Sequence, residues 1–137
     1  MTYVLKIGLD KDTQIDVGKL KNLRFERGVY FYVGSARKNV AARITRHYSK
    51  NKKIFWHIDY LLSWRHAVLK TTLVHNDNNE CQTAQFLYKN GYSFVKSFGS
   101  SDCRCPAHLF FARDGNDRKL ERLLVQRNFQ YADKNSF

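Results

Sequence analysis

The stretch Tyr30-Phe31-Tyr32-Val33-Gly34-Ser35-Ala36 predicts a strand that ends in a turn of small residues. Side chains alternate between the two faces of a strand, so Tyr30, Tyr32 and Gly34 share one face. Both tyrosines of the stretch therefore point to the same side of the predicted sheet.

A basic helix is predicted directly after this turn, from about Val40 to Tyr48. Arg43 and His47 lie four residues apart on it, so their side chains share a face of the helix. A phenol from the strand, a guanidinium and an imidazole can then converge on one anionic group. This convergence is the first functional hypothesis.

The rest of the chain alternates between short strands and short helices. We expect further strands at Tyr3–Leu9, Gln14–Val17, His66–His75 and His108–Ala112. We expect further helices at Glu80–Tyr88 and Asp117–Arg127. The segment Phe55–Trp64 fits a buried helix or a strand, and its spacing favours the helix. This order predicts an α+β fold in which helices flank a small central antiparallel or mixed sheet. The sheet is expected to be a hairpin or to have three strands. Residues 1–137 are expected to form a single domain.

The composition is that of a globular protein with a large positive charge. The 137 residues include 24 Lys and Arg against 12 Asp and Glu, which gives a net charge of +12. A surplus of this size in a small chain favours a polyanionic partner, and we expect nucleic acid. A basic surface that only keeps the protein soluble is the alternative.

The chain shows no signal for a membrane or for export. No apolar run approaches the roughly 20 residues that a membrane-spanning helix requires. The segment Met1–Lys6 lacks the basic region and apolar core of a signal peptide. We therefore expect a cytoplasmic protein without a membrane partner.

A set of basic residues flanks the predicted strand and helix and forms the expected phosphate-tracking surface. Its members are Lys19, Lys21, Arg24, Arg27, Arg37, Lys38, Arg46, Lys50, Lys52 and Lys53. Nothing in this set predicts readout of bases, so we expect structure-selective or weakly specific binding.

The cysteines suggest a metal site more than a disulfide framework, because their number is odd and a cytosolic chain is kept reduced. Cys103, Cys105 and His108 are spaced closely, and thiolates with an imidazole suit zinc. Cys81 or His57 would complete the site. The spacing differs from that of common zinc fingers, and buried thiols that act as small apolar side chains are the alternative.

Four short motifs occur in this chain. They are Tyr32-Val33-Gly34-Ser35-Ala36, Trp56-His57-Ile58-Asp59-Tyr60-Leu61-Leu62, Glu80-Cys81 and Ser101-Asp102-Cys103-x-Cys105-x-x-His108. With them the chain resembles the GIY-YIG endonuclease superfamily, and in detail a small branch that occurs mostly as stand-alone prokaryotic domains. The resemblance covers nearly the whole chain and implies a metal-dependent nuclease that acts on DNA in repair or processing.

The resemblance also implies roles for individual residues. Tyr3 or Tyr32 would assist the nucleophilic water, Arg43 would contact the scissile phosphate, and Glu80 would hold one Mg²⁺ or Mn²⁺. The residue types suit these roles, because arginine matches phosphate oxygens and a carboxylate is a hard ligand for such ions. His47 would relay a proton or bind phosphate.

The catalytic tyrosine has three candidates. Gly28-Val29-Tyr30 spells the superfamily's first motif, but it shares a strand with Tyr32, whereas the superfamily places its two motifs on neighbouring strands. By position in the fold the first tyrosine is Tyr3, and residues 10–27 are then an insertion. Tyr3 and Tyr32 are therefore preferred, and Tyr30 is the third candidate.

Three further side chains are candidates for a supporting role next to the site residues: Tyr30, His57 and Asp59. For His57 and Asp59, a buried polar pair without a functional role is the alternative. The second functional hypothesis is a non-catalytic nucleic-acid-binding module on the same fold, with or without a structural zinc.

Overall fold

The structure, a computed structural model, describes residues 1–100, 103–113 and 115–132. Ser101 and Asp102 of the cysteine motif therefore lie outside the described residues. The strands are β1 (Thr2–Leu9), β2 (Thr13–Val17), β3 (Leu20–Phe25), β4 (Gly28–Ser35), β5 (Ala67–His75), β6 (Ser93–Phe94), β7 (Leu109–Ala112) and β8 (Gln130–Ala132). The helices are α1 (Val40–Tyr48), α2 (His57–Leu62), α3 (Glu80–Lys89) and α4 (Asn116–Gln126). Within the described ranges, every helix is too short or too polar to cross a membrane.

Strand β1 lies inside a six-stranded sheet with the order β6-β7-β4-β1-β5-β8. It pairs antiparallel with β4 on one side and with β5 on the other. Successive residues of β1 face opposite sides of the sheet. Both sides are covered, which is why Val4 is as fully buried as Leu5 and Ile7. The register places Tyr3 directly opposite Gly34 of β4.

The sheet carries one apolar layer on each face. Helices α1 and α2 and the β2–β3 hairpin pack on one face, through residues that include Ile44, Ile58 and Phe25. Helices α3 and α4 pack on the other face, through residues that include Ala84 and Leu120. The site described below lies on the first face, where the tyrosines of β1 and β4 point.

The predicted α+β fold is confirmed, but the central sheet has six strands where a hairpin or three strands were expected. Strand β3 was not predicted because its pattern is basic and only Phe25 in it is buried. Strand β8 was not predicted because it is short and pairs only with the outer edge of β5. The predicted insertion at residues 10–27 contains the β2–β3 hairpin.

Candidate active site and metal centre

Tyr3 enters the site from β1, opposite the glycine near the end of β4. It is only 2% exposed and is the register partner of Gly34. A Cβ built at Gly34 would lie 2.6 Å from Cζ and 2.7 Å from Oη of Tyr3. Any side chain at Gly34 would therefore collide with the tyrosine ring.

The Tyr3 hydroxyl is hydrogen-bonded to His47, which α1 presents from the same side of the sheet. Tyr3 Oη lies 2.9 Å from His47 Nε2. Burial raises the pKa of Tyr3 to about 12, against the opposing effect of Arg43. Burial lowers the pKa of His47 to about 3, and the positive charge of Lys52 adds to this effect. Both rings are therefore uncharged near pH 7.

Arg43 reaches the same place from one turn earlier in α1. The helix begins after Asn39, whose side chain accepts a hydrogen bond from the amide of Ala42. The Arg43 guanidinium donates to the carbonyl of Ser35 at 2.9 Å and lies 4.3 Å from the centroid of the Trp56 ring. A carbonyl and an aromatic ring therefore fix its position.

Asp59 anchors the segment that carries Trp56. Its fully buried carboxylate accepts hydrogen bonds from the backbone N–H groups of Phe55 and Trp56, at 2.9 and 2.8 Å. Arg46 donates both arms of its guanidinium to the two carboxylate oxygens, at 2.8 and 2.9 Å. Burial raises the pKa of Asp59, but these hydrogen bonds outweigh it and hold that pKa below its usual value. Asp59 thus supports the Trp56 ring from behind.

Glu80 is positioned by a connection between β1 and the start of α3. The Thr2 hydroxyl donates to the carbonyl of Asp77 and accepts from the amide of Asn79, each at 2.8 Å. Thr2 is completely buried, so this turn is held firmly to the first strand. Glu80 follows as the first residue of α3.

The Glu80 carboxylate has a hydrogen-bond partner at each oxygen. Oε2 accepts from the Ser35 hydroxyl at 2.9 Å, and Oε1 lies 3.1 Å from His108 Nδ1. Burial raises the pKa of Glu80, but the bonds from His108 and Ser35 outweigh it and lower that pKa. The side chain is still 27% exposed, so an ionised carboxylate is accessible at the site.

These side chains line one cavity of about 180 Å³. Its lining residues are Tyr3, Tyr32, Ser35, Arg43, His47, Trp56, Glu80 and Gly99. The structure thus brings together every residue that was predicted to be catalytic or to hold the divalent ion. The phenol, guanidinium and imidazole that were expected to converge do so here, with a carboxylate beside them.

Tyr32 lies against a loop position that suits only glycine. Gly99 has a φ of +75°, and a Cβ there would lie 3.0 Å from Tyr32 Cε1 and 3.2 Å from His108 Cβ. The Gly99 amide donates to His57 Nδ1 at 2.9 Å. Burial holds the pKa of Tyr32 well above its usual value. His57 therefore supports the cavity through the Gly99 loop.

Tyr30 lies outside the lining of the cavity. Its hydroxyl donates to the carbonyl of Glu26 at 2.7 Å. Its ring packs against Phe25 and Phe111, with ring centroids 5.9 and 4.8 Å away. Although it shares a strand face with Tyr32, it is a core residue beside the β2–β3 hairpin.

Three cysteines and one histidine meet next to the first turn of α3. The candidate ligand atoms of Cys81, Cys103, Cys105 and His108 all lie within 4.8 Å of one another. Cys103 Sγ is 3.3 Å from His108 Nε2. This group can hold a metal ion, and its sulfur and imidazole atoms suit zinc better than Mg²⁺. Of the two candidates for the remaining ligand, Cys81 joins the group, whereas His57 is bonded to the Gly99 loop.

Some of the predicted phosphate-binding side chains have internal partners. Lys50 Nζ donates to the carbonyls of Leu62 and Trp64, at 2.8 Å each, and to that of Ala67. These carbonyls belong to the last residue of α2, the turn after it and the first residue of β5, so the lysine ties the end of α2 to the segment that follows α1. Lys50 is therefore a structural tie, and its place on the phosphate-tracking surface stays a prediction.

Lys52 and Arg46 also have internal partners. Lys52 Nζ donates to the carbonyls of Arg46 and His47, at 3.3 and 3.1 Å, and Arg46 is bound to Asp59. The members of the predicted surface that are exposed are Lys19, Lys21, Arg24, Arg27, Arg37, Lys38, Lys50 and Lys53.

Sequence reasoning did not assign Ser35, Trp56 or Gly99 to the site. Ser35 holds Glu80 with its hydroxyl and Arg43 with its carbonyl. Ser35 and Trp56 both lie in the motifs that carry the family resemblance, so membership in those motifs was the available signal.

Comparison with known proteins supplies a family for the chain. No curated protein matches the chain, and no solved structure matches it. Residues 2–130 match the family described as Domain of unknown function DUF123. Since the match spans nearly the whole chain, this protein belongs to that family.

Proposed function

We propose that this protein is a metal-dependent nuclease that hydrolyses phosphodiester bonds in DNA, as its resemblance to GIY-YIG endonucleases implies. The observation that carries the proposal is the cavity in which Arg43, Glu80 and the Tyr3–His47 pair face one another. Phosphodiester hydrolysis requires a positioned water, positive charge at the phosphoryl oxygens and a route for a proton. The lining of this cavity contains a group for each requirement.

Arg43 supplies the positive charge for the phosphate. A guanidinium offers five N–H donors in a planar fork, which matches the oxygens of a phosphate. Its bond to Ser35 and its contact with the Trp56 ring hold the fork in place before substrate arrives. This preorganisation means that little side-chain entropy is lost when a phosphate binds.

The Tyr3–His47 pair supplies the proton route. A phenol with a pKa of about 12 is protonated at pH 7, so Tyr3 acts as a relay and not as a stored phenolate. The attacking water gives a proton to Tyr3 Oη while Tyr3 passes its own proton to His47 Nε2. The water oxygen bonds to phosphorus, the bond to the leaving oxygen breaks, and that oxygen takes a proton from solvent. The imidazolium that forms is stabilised by the negative phosphoryl group nearby.

Glu80 is the group that would hold a divalent ion. Its ionised, partly exposed carboxylate lies beside the Ser35 hydroxyl, and both are hard oxygen donors. This set fits Mg²⁺ or Mn²⁺, because such ions are often held by one or two carboxylates and complete their shell with water and phosphate. A bound ion would neutralise charge on the phosphoryl oxygens.

The surface around the cavity supports nucleic acid as the substrate. The net charge is +12, and exposed Arg37 and Lys38 follow Ser35 in the turn beside the cavity. Phe55 is 76% exposed and lies next to Trp56, with ring centroids 4.9 Å apart. Exposed cations follow a phosphate backbone, and an exposed ring offers a face on which a base can stack.

The test is nicking of branched, damaged and plain DNA, with Mg²⁺ or Mn²⁺ and with chelator. Arg43→Ala and Glu80→Ala should cut at least roughly 100-fold more slowly than the wild type. Arg118→Ala, an exposed arginine of α4 on the opposite face of the sheet, is the matched control and should cut normally. If Glu80→Ala cuts as well as the wild type, Glu80 does not hold the ion.

The second candidate function is a nucleic-acid-binding module without catalysis, which the Cys₃His group favours because such sites are often structural. The binding-module function is supported if the protein cuts no DNA but binds it with an affinity that falls steeply as the salt concentration rises. Each phosphate contact should then contribute about 0.9 to the slope of log affinity against log salt.

A further inference from the structure

We propose that Cys81, Cys103, Cys105 and His108 bind one zinc ion, and that this ion, acting through His108, fixes the Glu80 carboxylate at the edge of the cavity. The role of Glu80 in cutting rests on the proposed function, but the zinc site and its effect on Glu80 do not. Nothing in the GIY-YIG-like reaction itself calls for a thiolate site.

The four ligand atoms already lie close to the separations that a tetrahedral zinc site requires. Tetrahedral zinc with bonds of about 2.3 Å to sulfur and about 2.0 Å to nitrogen places three sulfurs and one nitrogen roughly 3.5–3.8 Å apart. The four ligand atoms here lie within 4.8 Å of one another, and Cys103 Sγ is 3.3 Å from His108 Nε2. Side-chain movements well below the length of a zinc–sulfur bond would therefore bring the four ligand atoms into a tetrahedral arrangement.

The four ligands come from two separate parts of the fold, helix α3 and the loop that leads into β7. Cys81 lies in the first turn of α3, Cys103 and Cys105 in the loop after Gly99, and His108 directly before β7. A single ion would therefore clip this loop to α3. In the described part of the loop, the amide of Ser97 donates to the carbonyl of Pro106 and the amide of His108 to that of Phe98, each at 2.8 Å. These bonds close the loop on itself, and the ion would add the link to α3.

His108 connects the thiol group to the cavity with its two ring nitrogens. Nε2 faces Cys103, and Nδ1 lies 3.1 Å from Glu80 Oε1. A histidine that binds a metal through Nε2 must carry its proton on Nδ1, so it donates to the carboxylate. Carboxylate, imidazole and metal then form one chain in which each partner orients the next.

Glu80 gains a fixed orientation from this chain. One oxygen is held by His108 and the other by Ser35, so the carboxylate cannot turn away from the cavity. His108 is only 2% exposed, so its ring has little room to rotate. Loss of the zinc frees the imidazole to change tautomer, and the bond to Glu80 Oε1 is no longer secured.

The first experiment is elemental analysis of protein purified under reducing conditions without added metal. We expect about one zinc per chain. Protein with reduced thiols and no zinc overturns the proposal, and so does a disulfide within the cysteine group. Because Cys105→Ser could fail to fold, a second measurement uses the wild type: cobalt added to the metal-free chain should give a thiolate-to-cobalt charge-transfer band and a tetrahedral spectrum. Absence of that band overturns the site.

The second experiment tests the link to Glu80 by competition between the protein and a chelator for zinc. Glu80→Gln should bind zinc roughly 10–100-fold more weakly, because partners of a ligating histidine contribute that much to affinity. Arg43→Ala lines the same cavity but contacts none of the four ligands, and should bind zinc like the wild type. Equal zinc affinity in Glu80→Gln and the wild type overturns the link.

The outcomes separate this proposal from the nuclease assignment. A protein that binds zinc with the expected Glu80 dependence but cuts no DNA retains the zinc link and loses the proposed function. A protein that cuts DNA but binds no zinc retains the proposed function and loses the link.

Discussion

Tyr3 and Gly34 lie directly opposite each other on β1 and β4, and the tyrosine ring fills the space above the glycine. We predict that Gly34→Ala loses most nicking activity and about 1–3 kcal/mol of stability, because its methyl group must displace a buried ring. Urea unfolding and the nicking assay measure the two effects.

Gly8→Ala is the matched control for this change. It lies on β1, the strand that carries Tyr3, but its Cβ would meet only the side chain of Lys70, an exposed lysine with a flexible end. It should cost less stability than Gly34→Ala and leave activity intact. If Gly34→Ala is as stable and as active as Gly8→Ala, the position of Tyr3 does not depend on the glycine.

His47 makes stability depend on pH in a defined window. Burial lowers its pKa from 6.5 in the unfolded chain to about 3 in the folded protein. Between these two pKa values, His47 is protonated in the unfolded chain and neutral in the folded protein. The contribution of His47 to stability is therefore fully present above pH 6.5 and falls as the pH is lowered. The slope from this residue is at most about 1.4 kcal/mol per pH unit.

The measurement is urea unfolding from pH 4 to pH 8 for the wild type and His47→Gln. Other groups titrate equally in both proteins, so the difference between the two curves isolates His47. We expect that difference to favour the wild type most above pH 6.5 and to shrink as the pH falls. Parallel curves would mean that the pKa of His47 is the same in the folded and the unfolded protein.

The arrangement around Tyr3 shows what sequence reasoning can reach. The alternation in β4 and the four-residue spacing of Arg43 and His47 were sufficient to predict a shared site, because they depend only on local geometry. Tyr3 was preferred over Tyr30 because the superfamily that the chain resembles places its two motifs on neighbouring strands. Strand β1 does pair with β4, and the identity of the catalytic tyrosine stays a prediction.

Other parts of the site depend on contacts between distant segments. A lysine has the same charge whether it meets a phosphate or a carbonyl, so the internal bonds of Lys50 and Lys52 could not be read from composition. The choice between Cys81 and His57 as a ligand required knowing how the Gly99 loop meets α3. Both questions are decided by tertiary packing.

Arg46 should act on stability more than on DNA binding. Its side chain is 28% exposed, but it neutralises a carboxylate of Asp59 that is completely buried. We predict that Arg46→Ala costs about 3 kcal/mol, because it leaves a buried charge without its main partner. Lys53→Ala, an exposed neighbour, should change stability by less than about 0.5 kcal/mol. Denaturant unfolding of both variants at pH 7 measures the contrast.

The pH dependence gives a second readout for this pair. The pKa of Asp59 is lower in the folded protein than its unfolded value of 3.8. The ionised carboxylate therefore stabilises the folded state above pH 3.8, and this stabilisation is lost as the pH falls through the lower folded pKa. The stability difference between the wild type and Arg46→Ala should therefore narrow in acid. A variant as stable as the wild type at pH 7, but weaker in DNA binding, would support a place for Arg46 on the phosphate-tracking surface.

Phe55 is the residue whose exposure is hardest to explain by folding alone. Its ring is 76% exposed, next to a Trp56 ring that lines the cavity and lies beside two guanidinium groups. We predict that Phe55→Ala lowers affinity for single-stranded DNA roughly tenfold, because stacking of one base on an aromatic ring contributes about 1–3 kcal/mol. Fluorescence anisotropy with single-stranded and blunt duplex oligonucleotides measures it, and the duplex should be affected less. Tyr88→Ala is the control: that ring is 47% exposed near the other end of α3 from Glu80. An equal loss in both variants, or a loss in neither, would show that no base stacks on Phe55.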